Sequence, residues 1–402
     1  MTPSRSAKLA VAFANVGHFF THMLMLLYPT VVLALEGRYG LTYGELIALF
    51  MPANLFYGLA ALPAGWLGDR WSAERMMVIF FLGSGAAAIL TGFADGPIGL
   101  AIGLSSIGLF GAIYHPVGVA WLVRNAESRG RMLGWNGIFG SLGVGMAPLV
   151  AAGLGDLWSW RAAFIVPGAI CLVLGVALAL LVKAKHVVAL KTDRKPEPEP
   201  ERGEVRRVFL VLSITMLAAG FAWLMLTTSL PKVFDLRLTA LTNGWAVGTG
   251  FFVSLVFVVS AAMQMVGGYL ADHFPLKRVY VGAWLAQIPV LLIIMQAAEL
   301  PLLLSMMLLF SLEVMTAPAE NSLLVRYTPG RWRATAFGAK FVLSLGVSAF
   351  AVPLVGYLYD STGDFTWSFA IMVILTAVIV VAASFLPRDR SRYGAVQPVP
   401  AE

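Results

Sequence analysis

His18 and His22 stand four residues apart in NVGHFFTHMLML, residues 15–26, a stretch with no other ionisable side chain. With Asn15 they fall at i, i+3 and i+7, which puts all three on one face of a helix. Two imidazoles one turn apart can hold a metal ion, brace a helix interface through hydrogen bonds, or bind protons and substrate near neutral pH. A metal needs further ligands. His115 could be the third, but nothing nearby adds a fourth, so neither a metal nor another cofactor is expected. Of the three readings, proton or substrate binding is the favoured one.

The remaining candidates are as few. Glu313 and Glu320 are seven apart and nearly aligned on a helix, with Pro318 between them to kink it and free a carbonyl. Lys340 lies in FGAKFVLSLG, and Asn136 in a glycine-rich apolar run. Lys340 either snorkels to the nearer interface or needs a counter-ion, for which Glu320 and Glu313 are the nearest candidates by helix order. Such a pair is either a permanent structural one or one that protonation and an anionic substrate group could each break, coupling the two events.

These residues are expensive because of what surrounds them. The chain is 59% hydrophobic and 12% charged, with a mean hydropathy of +0.82, a composition suited to lipid. Twelve apolar runs of at least about 18 residues follow one another, from 9–35 to 365–386, and runs of that length satisfy their backbone in lipid only as helices. The expected fold is therefore an all-α integral membrane protein with twelve transmembrane helices. All Lys and Arg fall on the side of the termini except Arg38, Arg161, Lys232 and Arg237, assigned to outer loops, and Lys340 inside a span. Both termini are thus expected in the cytoplasm. This asymmetry accounts for the net charge of +7 as topology and contact with anionic lipid, and no nucleic-acid partner is expected. The lone Cys171 leaves no intrachain disulfide to form.

The chain divides into a six-helix bundle at 1–183, a cytoplasmic linker at 184–207 containing PEPEPE, a second bundle at 208–387 and a tail at 388–402. The bundles repeat each other. GWLGDRWSAER at 65–75 returns as GYLADHFPLKR at 268–278, and WLVRNAESRGR, ending at Arg131, returns as LLVRYTPGRWR, ending at Arg333. Two motifs at nearly one offset indicate a duplicated unit related by a pseudo-two-fold axis along the membrane normal.

With twelve spans and a charged central linker, these loops resemble the major facilitator superfamily. The resemblance implies a gating latch at Gly65, Asp69, Arg70, Arg75 and Arg131, repeated at Gly268, Asp272, Arg278 and Arg333. Gly65 would allow close helix packing, Asp69 would oppose a helix N-terminus, and Arg70 and Arg75 would pair nearby. It also implies a central cavity lined mainly by the first, fourth, seventh and tenth helices. HFFTHMLMLLYP and GAIYHPVGVAWLVR are further similar to the fosmidomycin-resistance type of bacterial facilitator. His18 matches that type's histidine, His22 stands where it has Asp, His115 and Pro116 match its His-Pro, and Val117 replaces its Glu.

No GxxxxGK(S/T) loop and no nucleophile beside a base is present, so neither an ATP motor nor an enzyme is expected. The expectation is a monomeric secondary transporter of a small solute in a bacterial inner membrane, using alternating access. Proton-coupled export leads. Proton-coupled uptake of a small anionic metabolite is the alternative, and a non-transporting receptor or assembly partner is the third reading.

Overall fold

The computed structural model describes residues 5–126, 129–187, 202–328 and 333–387, so the 388–402 tail and, of the expected 184–207 linker, residues 188–201 with the PEPEPE run lie outside the described residues, while 202–207 are helical. Twelve helices are long and apolar enough to cross a membrane: α1 Arg5–Leu35, α2 Tyr43–Arg70, α3 Ala73–Gly92, α4 Pro97–Asn125, α5 Arg131–Leu157 and α6 Ala162–Lys183, followed by α7 Val205–Arg237, α8 Ala246–His273, α9 Leu276–Ile294, α10 Glu299–Tyr327, α11 Thr335–Thr362 and α12 Thr366–Ser384. Since the number of crossings is even, α1 begins and α12 ends on the same face, called here the terminal face.

Local chemistry marks the helix ends. Thr42 and Glu45 form a capping box at the start of α2, and Ser72 caps α3 by accepting from Arg75 N–H. Pro97 opens α4, while Gly363, at φ 76°, ends α11 in the left-handed region. Two of the spans carry a π-turn in their interior. Tyr114–Gly118 in α4 and Val342–Gly346 in α11 are single π-turns. A π-turn re-aims the side chains around it, and such turns gather at functional sites. In α4 the cause is Pro116, which supplies no N–H to the ladder.

Two helix pairs join the halves, and they exchange under the repeat, since α2 corresponds to α8 and α5 to α11. Both are close-packed on small residues. In α2–α11 a β-carbon on Gly44 would strike the Gly356 backbone, one on Gly58 the Gly346 backbone, and one on Gly338 the side chain of Leu62. In α5–α8 a β-carbon on Gly250 would meet Pro148 and one on Gly145 would meet Val258. With no hydrophobic force between helices in lipid, close packing of this kind holds them together. Gly58→Val is therefore expected to lower stability by about 1–3 kcal/mol, the usual cost of overpacking. Gly153→Val, where a β-carbon meets nothing within 4 Å, should leave the melting temperature unchanged. Thermal unfolding of the two variants in detergent checks the contrast.

Candidate functional site

The histidines of α1 and α4 converge. His18 Nδ1 donates to the Asn136 carbonyl oxygen at 2.7 Å, and because a carbonyl only accepts, neutral His18 keeps its lone pair on Nε2. His22 Nε2 lies 3.2 Å from that atom and donates to it. The His115 ring, carried by the π-turn, stands edge-on to both, with centroids 5.4 Å from His18 and 5.2 Å from His22. One nitrogen from each of the three lies within 4.8 Å of the others, so these residues could hold a metal ion. All three rings are half-buried.

Asn15 and Asn136 brace this cluster. Asn136 donates to Asn15 Oδ1 at 3.0 Å and to the Tyr114 hydroxyl at 2.8 Å, while that hydroxyl donates to the Ala14 carbonyl at 2.9 Å. The Tyr114 ring stacks on His18 with centroids 4.9 Å apart. Glycines make room for both rings: β-carbons on Gly17 or Gly118 would meet Tyr114, and one on Gly140 would come within 2.5 Å of the His18 imidazole.

The second half builds a different group. Lys340 Nζ lies 2.7 Å from Glu320 Oε1 and donates to Asn321 Oδ1 at 2.7 Å. Glu320 Oε2 accepts from the Tyr280 hydroxyl at 2.8 Å. α9, α10 and α11 thus meet at one carboxylate. Of the expected counter-ions Lys340 has Glu320, in an ion pair with side chains 16% and 8% exposed. Glu313 is just as buried, at 8%, yet no hydrogen bond or ion pair reaches its carboxylate among the described residues. Beside Pro318, the Thr316 hydroxyl donates to the Glu313 carbonyl at 2.7 Å, adding a bond within the proline-interrupted turn.

Phe341 links the two groups, since it follows Lys340 in the chain and stacks on His115 with centroids 4.9 Å apart. The ionisable side chains of the two groups therefore sit on α1, α4, α10 and α11, with the cation supplied by α11. From the terminal face a cavity of about 410 Å³ leads inward, with Lys8, Asn125 and Arg131 among its walls and Asn15 among its lining. Asn15 connects it to the brace of His18.

The loop motif lies largely inside helices, with Gly65, Asp69 and Arg70 in α2 and Gly268 and Asp272 in α8. Gly65 does face a close neighbour, as a β-carbon there would stand 3.1 Å from Pro116, but Gly268 has nothing within 4 Å. Asp69 was expected to oppose a helix N-terminus, with Arg70 and Arg75 pairing nearby, and the partners observed are different ones. Asp69 pairs with Arg124 at 3.7 Å, while Arg70 and Arg75 lie over the rings of Trp66 and Trp71. Aromatic neighbours one turn away offered those guanidiniums a nearer partner. Arg278 lies in the first turn of α9, and the Arg333 side chain lies outside the described ones.

Sequence reasoning missed a clasp on the opposite face. Lys232, counted above as a loop residue, is inside α7 and only 6% exposed. Its ammonium lies 2.8 Å from Glu36 Oε1 and 3.3 Å from Asp235 Oδ2. Asp360 of α11 accepts from the Thr42 hydroxyl at 2.5 Å and from Gly44 N–H at 3.0 Å, and the Tyr43 hydroxyl donates to the Thr228 carbonyl at 3.3 Å. Each of these contacts except Lys232–Asp235 crosses between the halves. Lys232 within three residues of Asp235 was the one visible signal.

The sequence profile described as Major Facilitator Superfamily matches residues 11–257 and 246–401. A protein of Escherichia coli (strain K12) named as a probable L-galactonate transporter is 25% identical over 424 residues, covering 92% of this chain and 89% of that one. A protein of Cupriavidus necator named as a probable sulfoacetate transporter, SauU, is 26% identical over 384 residues, covering 86% of each. Among solved structures, a bacterial homolog of the human lysosomal transporter Spinster, inward-facing and occupied, superposes with a TM-score of 0.74 at 15% identity, over 95% of this chain and 96% of that one.

Proposed function

The chain belongs to the major facilitator superfamily, and on that premise we propose that it carries a small organic anion across a bacterial inner membrane together with protons, by alternating access. The terminal face is assigned to the cytoplasm because it bears nearly all the Lys and Arg. A single chain contains both halves of the gate, so one copy suffices to transport.

The observation that carries this reading is the buried Lys340–Glu320 pair at 2.7 Å. Within lipid, neither charge is stable without a partner. An anionic solute that takes Lys340 releases Glu320, which then accepts a proton, so solute and proton enter the site in the same step. This linkage is that of symport and favours uptake over the export expected from sequence. The two relatives named above support the anion, since galactonate and sulfoacetate are both organic acids. The fosmidomycin-resistance resemblance rests on α1 and α4 alone and adds no substrate to this reading.

Glu320→Gln in proteoliposomes tests it, with sugar acids and sulfonates as the first solutes. Gln keeps hydrogen bonds to Lys340 and Tyr280 but cannot take up and release a proton. Solute counterflow is expected to persist while accumulation driven by an inward proton gradient is lost. Accumulation equal to wild type would overturn the coupling role. A wild-type protein that drives solute outward against its gradient would place the pair in export, and absence of counterflow for every solute class would favour a receptor.

A further inference from the structure

The His18, His22 and His115 cluster has a geometry that its hydrogen bond does not require. We propose that these three side chains form a binding site for a late first-row divalent cation, of the Zn²⁺ and Co²⁺ class. Two imidazole nitrogens bound to one tetrahedral zinc at about 2.0–2.1 Å stand roughly 3.3 Å apart. The two Nε2 atoms of His18 and His22 are already 3.2 Å apart. An ion between them replaces one N–H···N hydrogen bond, and His22 need only move its proton from Nε2 to Nδ1.

The support around the first ligand is that of a metal site. Metal-bound histidines usually donate their other N–H to a carbonyl or carboxylate, which fixes the tautomer and aims the lone pair. His18 does this already, through Nδ1 to the Asn136 carbonyl, and Asn136 is itself held by Asn15 and Tyr114. The third ligand has to travel. Its nitrogen lies within 4.8 Å of the other two, so His115 must close in by an ångström or so, and it sits on the π-turn of α4, where the helix is least regular. Three neutral imidazoles leave the ion both positive charges and an open fourth position, which suits water or a carboxylate.

No part of this depends on the transport reading, and the experiment keeps the two apart. The chain contains five histidines; the other two, His186 and His273, lie outside the cluster. Untagged protein in detergent is titrated with Co²⁺ and then Zn²⁺, read by the visible absorption of tetrahedral Co²⁺ and by calorimetry. One ion per chain is expected. Binding should survive in the His186→Ala/His273→Ala variant and weaken at least about 100-fold in His22→Gln, which keeps an amide N–H toward His18 and so preserves the fold. His115→Ala should lose the tetrahedral spectrum. No binding to the wild type, or binding that persists in His22→Gln, overturns the proposal.

Discussion

Lys340→Met is expected to reduce solute transport by at least about 100-fold, equivalent to roughly 2.7 kcal/mol of lost stabilisation, and to destabilise the fold by about 3–5 kcal/mol. Methionine matches the lysine in length and bulk, so the change isolates the charge. With the ammonium gone, Glu320 keeps the Tyr280 hydroxyl at 2.8 Å as its remaining partner, and Asn321 loses the donor it holds at 2.7 Å. A buried carboxylate without its cation is far costlier than the same site with neither charge. The double variant Lys340→Met/Glu320→Gln should therefore recover most of the lost stability. It should not recover transport, because neither an anion-binding cation nor a proton-binding carboxylate is left. Thermal unfolding with proteoliposome uptake separates the two effects. A single Lys340→Met variant that transports normally would reduce the pair to a structural bridge.

That pair was legible in sequence, and the reason is physical. A lysine or glutamate in an apolar span costs several kcal/mol unless it is paired, so its presence is itself information. The same reasoning exposed His18, His22 and His115, and the demand that lipid makes on the backbone exposed the twelve helices. What stayed hidden was cheap or distant. Tyrosine in a span costs little, so Tyr280 and Tyr114 carried no signal, although one holds Glu320 and the other braces Asn136. His18 finds a backbone carbonyl 118 residues away, which no local spacing reports. Arg70 and Arg75 could be read as charges but not as the neighbours of Trp66 and Trp71, because an exposed guanidinium has several partners of nearly equal worth. Glu36, Lys232 and Asp360 lie near a helix end, where a charge is easily solvated and looks like one that only sets topology.

Lys232→Ala is expected to open the face opposite the termini. Lys232 carries the one cation of the clasp, with Glu36 at 2.8 Å and Asp235 at 3.3 Å, and the Tyr43 and Tyr359 rings lie 5.8 and 5.9 Å from its ammonium. Its side chain is 7% exposed while that of Glu36 is 33% exposed. Water therefore screens the glutamate more than the lysine, and the loss should be smaller than for Lys340, about 1–3 kcal/mol. All of it falls on one conformer, because Glu36 and Lys232 belong to different halves and must separate for this face to open. A bias of that size shifts the balance of closed and open states by about 5- to 150-fold. Leu35→Cys in a Cys171→Ala background reports the shift, since Leu35 is fully buried beside Glu36 in the closed conformer. Its maleimide labelling should accelerate by a similar factor when Lys232→Ala is added. The exchange Lys232→Glu with Glu36→Lys should slow it again, as the pair is re-formed with opposite sense, although Asp235 then faces a glutamate. Labelling unaffected by Lys232→Ala would mean that the other contacts across this face, those of Asp360 with Thr42 and Gly44 and of Tyr43 with Thr228, hold it shut without the lysine.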